Sequence, residues 1–135
     1  MDVLIVPEAG REIAALRAFR PGPGTWAVLV GHRRGPRFVV EKVVAAGNDG
    51  APPDARLLGE LDGIWPGGIV GLAVVRPGPP LERAILAPAW YGKLVLRLSG
   101  SRKSPSLKAG VVEFKRKFFI VALPLAAAAK ENGHE

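Results

Sequence analysis

The feature that most constrains the fold is an uninterrupted apolar stretch at residues 68–75, GIVGLAVV, which ends at Arg76-Pro77. A strand with one face in water alternates apolar and polar residues, whereas a strand covered on both faces is apolar throughout. Here both alternating sets are apolar or small: Val70, Leu72 and Val74 on one side, and Ile69, Gly71, Ala73 and Val75 on the other. The stretch therefore predicts a central strand that other elements cover on both faces.

The flanking segments predict further strands and helices in a regular order. The predicted strands are 2–6, 25–31, 37–46, 93–98, 108–115 and 117–123, and the predicted helices begin at Pro7 and at Asp54. Residues 78–91 are predicted to be irregular, with one helical turn. This order predicts an α+β (mixed α/β) fold with a single central mixed sheet flanked by two or three helices. Residues 1–124 are predicted to form one domain, and residues 125–135 a C-terminal tail.

The composition excludes several kinds of catalytic site. The chain has no cysteine, which removes disulfides, thiolate nucleophiles and every cysteine-ligated metal site. It has two histidines, and one of them, His134, lies in the predicted tail. No Ser-His-Asp set can be assembled, and the glycine turns lack the lysine of a phosphate loop. An enzyme site around His32 and Glu41 remains a third interpretation, behind the two that follow.

Positive charge is concentrated in the second half of the chain. The net charge is +7, and Glu113 is the only acid between residues 93 and 117. The basic residues of this stretch are Lys93, Arg97, Arg102, Lys103, Lys108, Lys115, Arg116 and Lys117. Such a stretch can meet phosphate or an acidic protein, although a simple solvated face is the plainer explanation. Aromatic residues nearby, including Phe118 and Phe119, leave a small nucleic-acid-binding domain as an alternative, because bases stack on aromatic rings.

The order of the segments resembles one known family. A strand closing in VLVG, a return strand RFVVEKVVAAG, a helix and then IVGLAVVRPG are similar to the JAMM/MPN family of metalloprotease-like domains. In that family two histidines and an aspartate hold zinc, an upstream glutamate is the general base, and a serine helps to polarise the carbonyl. The resemblance implies a layered architecture like that of JAMM domains and cytidine deaminases.

Alignment on Gly31, Gly71 and Pro77 places the family's chemical positions on residues that cannot perform the chemistry. The two histidine positions fall on Val74 and Arg76, the serine on Ala84, the aspartate on Ala87 and the base on Gly24. Zinc needs lone-pair donors, which valine and alanine lack, and an arginine repels the cation. The sequence also has Leu72 where the family has an aromatic residue. The resemblance thus implies an inactive member, with no metal, no cofactor and no enzymatic activity.

Inactive members of this family commonly serve as scaffolds, so the resemblance implies a protein partner. The partner is expected to be a second copy or a related domain. Trp65, Trp90 and Tyr91 are the candidate interface residues, because aromatic side chains are favoured interface anchors. No membrane partner is expected, since Pro124 interrupts the last apolar run. Asp2 and Glu8 flank the first apolar run where a signal peptide would be basic, and a cytoplasmic protein is expected.

Overall fold

The structure is a computed structural model that describes residues 1–18, 25–47, 53, 55–76, 79–100 and 105–126. The strands are β1 (Asp2–Ile5), β2 (Thr25–Arg34), β3 (Arg37–Gly47), β4 (Ile69–Val75), β5 (Leu94–Gly100), β6 (Pro105–Lys115) and β7 (Lys117–Leu123). The helices are α1 (Pro7–Ala18), α2 (Ala55–Ile64) and α3 (Pro79–Ile85), with a 3-10 turn at Pro88–Trp90. The predicted α+β fold with one mixed sheet is confirmed. Of the predicted features, Gly24, Asp54, Pro77, Arg102, Lys103 and residues 127–135 lie outside the described residues.

The strands form one curled mixed sheet in the order β1-β3-β2-β4-β5-β6-β7. The β1–β3 and β4–β5 pairs are parallel, and the other pairs are antiparallel. The curl brings the residues that follow β7 against β1. The Val3 amide donates to the Pro124 carbonyl at 3.1 Å, and the Ala126 amide donates to the Val3 carbonyl at 2.7 Å. Strand pairing therefore continues through Ala126.

Helices cover both faces of this sheet. On one face α1 contributes Ala9 and Ile13 to a first core, which also holds Phe38 of β3 and alternate residues of β4, β5 and β6. On the other face α2, α3 and the 3-10 turn close a second core that holds Trp26 of β2 and the remaining set from β4. Every residue of β4 is buried. The prediction of a central strand covered on both faces is therefore confirmed.

Two glycines allow neighbouring strands to approach closely. A Cβ atom on Gly31 would overlap the backbone carbonyl of Val39, and one on Gly71 would overlap the backbone carbonyl of Leu94. In each case the obstacle is backbone, which cannot swing aside as a flexible side chain can. These are the two glycines on which the family resemblance was aligned, and each has a steric reason to be glycine.

The segment predicted to be irregular contains α3 and the 3-10 turn. Leu81 and Ile85 lie one helical turn apart and are both buried in the second core. A seven-residue helix that begins with two prolines has little intrinsic stability, so packing against the sheet accounts for most of it. Local sequence preference alone did not reveal this helix.

Candidate functional site

The positions matched to the family's chemical residues carry no metal ligand. Val74 is 0% exposed in the second core, whereas Arg76 is exposed immediately after β4. Ala84 lies in α3 and Ala87 just after it, and both are half-buried. Alkyl groups and a guanidinium offer no lone pair to a cation. Among the described residues, no three histidine, cysteine or carboxylate side chains are grouped so as to hold a metal ion.

The third interpretation rested on His32 and Glu41, and the structure brings these two side chains together. His32 Nδ1 lies 3.5 Å from Glu41 Oε1 across the β2–β3 hairpin, and both side chains are about half exposed. Neither lines either of the two cavities described below. Both side chains are therefore accessible to water, apart from the two described cavities.

The basic residues of 93–117 do not form one continuous surface. The Lys93 ammonium donates to the Ile69 carbonyl at 2.9 Å, which ties β5 to β4. Arg97 is partly buried on the second-core face, and its cross-strand neighbour Lys108 is exposed. The third group, Lys115, Arg116 and Lys117, forms the exposed turn between β6 and β7. Among the described residues of 93–117, this turn is the one place where three cations follow one another in the sequence.

The three candidate interface aromatics differ in exposure. Trp90 is 2% exposed, so the expectation that it lies on the surface is wrong. The 3-10 turn directs its indole into the second core, where Trp65 also packs while partly exposed. Tyr91, the next residue, is 56% exposed. A large apolar ring fills space that α2 and the sheet leave between them, which the sequence did not indicate.

A surface on the β6–β7 hairpin combines exposed apolar side chains with the cationic turn. Phe119 is 37% exposed and Val121 39%. We call these two residues, together with the turn residues Lys115, Arg116 and Lys117, the hairpin surface. Phe114 is 52% exposed but lies on the opposite face of the hairpin, where its ring contacts that of Phe118 with centroids 4.8 Å apart. Phe119 and Val121 lie two residues apart in β7 and so share one face of the strand. The turn residue Arg116 has a φ of 73°, in the left-handed region that residues other than glycine seldom adopt.

The larger of two described cavities lies between α3 and the sheet. It encloses about 390 Å³ and reaches from Val74 and Arg97 to the side chains of Phe118 and Ile120 on β7. The Arg97 Nε is buried, and no described residue accepts its hydrogen. The smaller cavity, of about 270 Å³, lies beside Asp62 of α2, Trp90 and Lys93. The charged groups of that cavity have partners: the Asp62 carboxylate accepts a hydrogen bond from the Gly67 amide, and the Lys93 ammonium donates one to the Ile69 carbonyl.

An ion pair joins β1 to β3 at the other end of the sheet. The Arg37 guanidinium donates from Nε and Nη2 to the two carboxylate oxygens of Asp2, at 2.8 and 2.9 Å. These hydrogen bonds hold the pKa of Asp2 below its usual value of 3.8. The pair fastens an edge strand and faces neither cavity.

Comparison with known proteins shows the fold and nothing further. No family model and no curated protein matches the chain. Among 68 similar chains of solved structures is the solution structure of protein DSY2949 from Desulfitobacterium hafniense, a structural genomics target. The two share 18% identity over 98% of this chain and 99% of that one, with a TM-score of 0.63. Within the described residues, no helix has both the length and the apolar character that crossing a bilayer requires.

Proposed function

We propose that this protein is a catalytically inactive JAMM/MPN-like domain that works as a protein-interaction or scaffold module. The family part of the proposal is supported by the order of the elements and by the close strand approaches at Gly31 and Gly71. It is also supported by one sheet with helices on both faces, as a layered JAMM-like architecture has. The inactivity is supported by Val74, Arg76, Ala84 and Ala87, which stand where ligands and a serine are needed.

The hairpin surface is the observation that carries the interaction role. Single exposed apolar side chains are ordinary, but here two lie on one face of β7 beside a row of cations. Apolar side chains surrounded by charged ones are typical of a protein interface, which has an apolar core and a polar rim.

Charge favours an acidic protein as the partner. The turn places Lys115, Arg116 and Lys117 beside the apolar residues, and the whole chain carries a net +7. Two copies of the chain would repel each other, whereas an acidic rim on a partner would be attracted and steered to the surface. We therefore assign the surface to a heterologous partner, such as a related domain, rather than to a second copy. A specific interface would bury about 1,200–2,000 Å² in total.

Sedimentation and retention experiments test this assignment. The wild type is expected to sediment as a monomer at micromolar concentration. Used as bait in a pull-down from native cell extract, it should retain one protein in stoichiometric amount, and the amount retained should fall as the salt concentration rises. The double variant Phe119→Ser/Val121→Ser should lose that protein. The control variant Tyr91→Ser, which removes an exposed aromatic elsewhere, should keep it. Equal retention by the double variant, or a stable homodimer, would contradict the assignment.

Nucleic-acid binding is the second candidate, and one observation favours it. The exposed ring of Phe119 lies two residues after a turn of three cations, and a base-stacking surface needs an exposed ring beside positive charge. Anisotropy of a labelled single-stranded oligonucleotide, titrated at several salt concentrations, measures it. If the three turn cations contact phosphates, their replacement by glutamine should reduce the slope of log K against log salt by about 2. Absence of salt-dependent binding would eliminate this candidate.

A further inference from the structure

The cavity between α3 and the sheet has the size and lining of a small-molecule site. Its volume of about 390 Å³ falls within the range of ligand pockets. Its walls are mainly apolar, with Ile85 on α3, Val95 on β5 and Ile120 on β7. These side chains stand on three different elements, so they contact a ligand from more than one side of a half-open cavity. An apolar group placed there would be removed from water on several sides.

The charged groups of this cavity favour an anion. Arg97 and Lys117 line it, against the single carboxylate of Glu82. Arg97 lies between Val74 on β4 and Lys108 on β6, so neither cross-strand neighbour offers it a carboxylate. Its buried Nε has no acceptor among the described residues. A buried N–H group without an acceptor is unfavourable, and guanidinium groups bind carboxylates strongly.

The ligand's charge is limited by the same residues. Glu82 lies in the cavity with the two cations, so a second negative charge on the ligand would be repelled by it. Arg97 and Lys117 contribute two positive charges and Glu82 one negative charge, which leaves one positive charge for a monoanion to neutralise. The apolar walls then require a body without further polar groups, because buried polar groups need partners.

We propose that this cavity is a binding site for a small amphipathic monoanion, a carboxylate with an apolar body of about the size of a medium-chain acyl group. The carboxylate accepts hydrogen bonds from Arg97, including one from Nε, and the apolar body packs against Ile85, Val95 and Ile120. The cavity shares Lys117 and Phe119 with the hairpin surface, whereas Arg97, which binds the carboxylate, belongs to the cavity alone. The proposal requires no catalytic step.

Titration with three matched probes tests the proposal. Octanoate, octylammonium and octyl phosphate share one tail and differ in the charge of the head. Followed by amide chemical shifts of the full chain, octanoate should saturate and shift residues of α3 and β5. Octylammonium should bind at least tenfold more weakly, and octyl phosphate more weakly than octanoate. Octylammonium binding as tightly as octanoate, or no saturable shifts with octanoate up to 10 mM, would overturn the proposal.

Variants locate the site. Arg97→Met keeps the aliphatic stem and removes the charge, so octanoate should bind at least tenfold more weakly. Lys108→Met removes the neighbouring cation, which does not line the cavity, and should leave the affinity unchanged within twofold. Glu82→Gln, on the exposed surface of α3, should bind octanoate more tightly, which keeps the test decisive even if Arg97→Met unfolds. Unchanged affinity in Arg97→Met, or weaker binding in Glu82→Gln, would contradict the proposal. Neither outcome bears on partner retention through the hairpin surface, which Arg97→Met should leave intact.

Discussion

Strands β4 and β7 are equally long and mostly apolar, but their surroundings differ. The sequences are IVGLAVV and KFFIVAL, seven residues each. Every residue of β4 is buried, whereas the residues of β7 alternate between exposed and half-buried. The first strand lies between β2 and β5 with helices on both faces, and the second lies at the end of the sheet order beside β6. Apolar composition therefore indicates that a strand forms, and its place in the sheet decides how much of it is buried.

The central strand β4 contributes to stability, whereas the exposed side chains of the edge strand β7 are available for interaction. Strand β4 carries no group that can bind a metal or act as a nucleophile, and its residues serve packing. Strand β7 directs Phe118 and Ile120 towards the second core and leaves Phe119 and Val121 exposed beside the cationic turn. Substitutions in the two regions should therefore have opposite consequences.

The largest expected effect is that of a charge placed in the centre. Val74→Asp buries an unpaired carboxylate and should lower the free energy of unfolding by about 4 kcal/mol. The same change at the edge, Val121→Asp, leaves the carboxylate in water and should cost about 0.5 kcal/mol. Urea denaturation of both variants measures the difference. Values within 1 kcal/mol of each other would remove the distinction between the strands.

The next largest effect is expected from a comparison of two adjacent aromatic residues, one buried and one exposed. Trp90→Ala should lower the free energy of unfolding by about 3 kcal/mol, because it leaves a cavity in the second core. Tyr91→Ala, one residue later and mostly exposed, should cost less than about 1 kcal/mol. A similar loss for both variants in thermal unfolding would show that Trp90 is not a core residue.

Two glycine-to-alanine substitutions should change the free energy of unfolding by smaller amounts and in opposite directions. Gly71→Ala forces a methyl group against the Leu94 carbonyl and should cost about 1–3 kcal/mol. Gly59→Ala, on the exposed side of α2 with open space around the new methyl, should stabilise by about 0.5–1 kcal/mol. Chemical denaturation distinguishes the two signs. Stabilisation by Gly71→Ala would mean that β4 and β5 do not approach as described.

The smallest effect concerns pH and the β1 edge. Arg37 lowers the pKa of Asp2, so the pair contributes stability above the unfolded value of 3.8. That contribution is lost as pH falls through the lower folded pKa. The stability difference between wild type and Asp2→Asn should thus be constant from pH 5 to 7 and shrink below pH 4. In an Arg37→Gln background this pH dependence should disappear, and its persistence would assign the shift to another group.

Local patterns predicted the main sheet and missed what depends on distant contacts. The apolar run of β4 and the helical spacing of Ile13 and Leu16 are local patterns that span only a few residues. For this reason the order of the strands along the chain and the first two helices were predicted. Helix α3 and the buried Trp90 depend on a core made by other segments. Phe119 is indistinguishable in sequence from a core residue, because only the strand order shows that β7 is at the edge. The cavity at Arg97 depends on a parallel pairing with β4 that no local pattern specifies.

The bridge between Val3 and Leu125 sets the order in which the chain can complete its fold. Residue 3 leaves the ribosome about 120 residues before the strand partner on its outer side. The β2–β3 hairpin can form during synthesis, while β1 keeps one edge unpaired until residues 124–126 arrive. Closure between such distant positions is slow, and an open strand edge attracts other chains in the meantime. The step most exposed to misassembly is therefore the last one, after translation has passed the whole sheet.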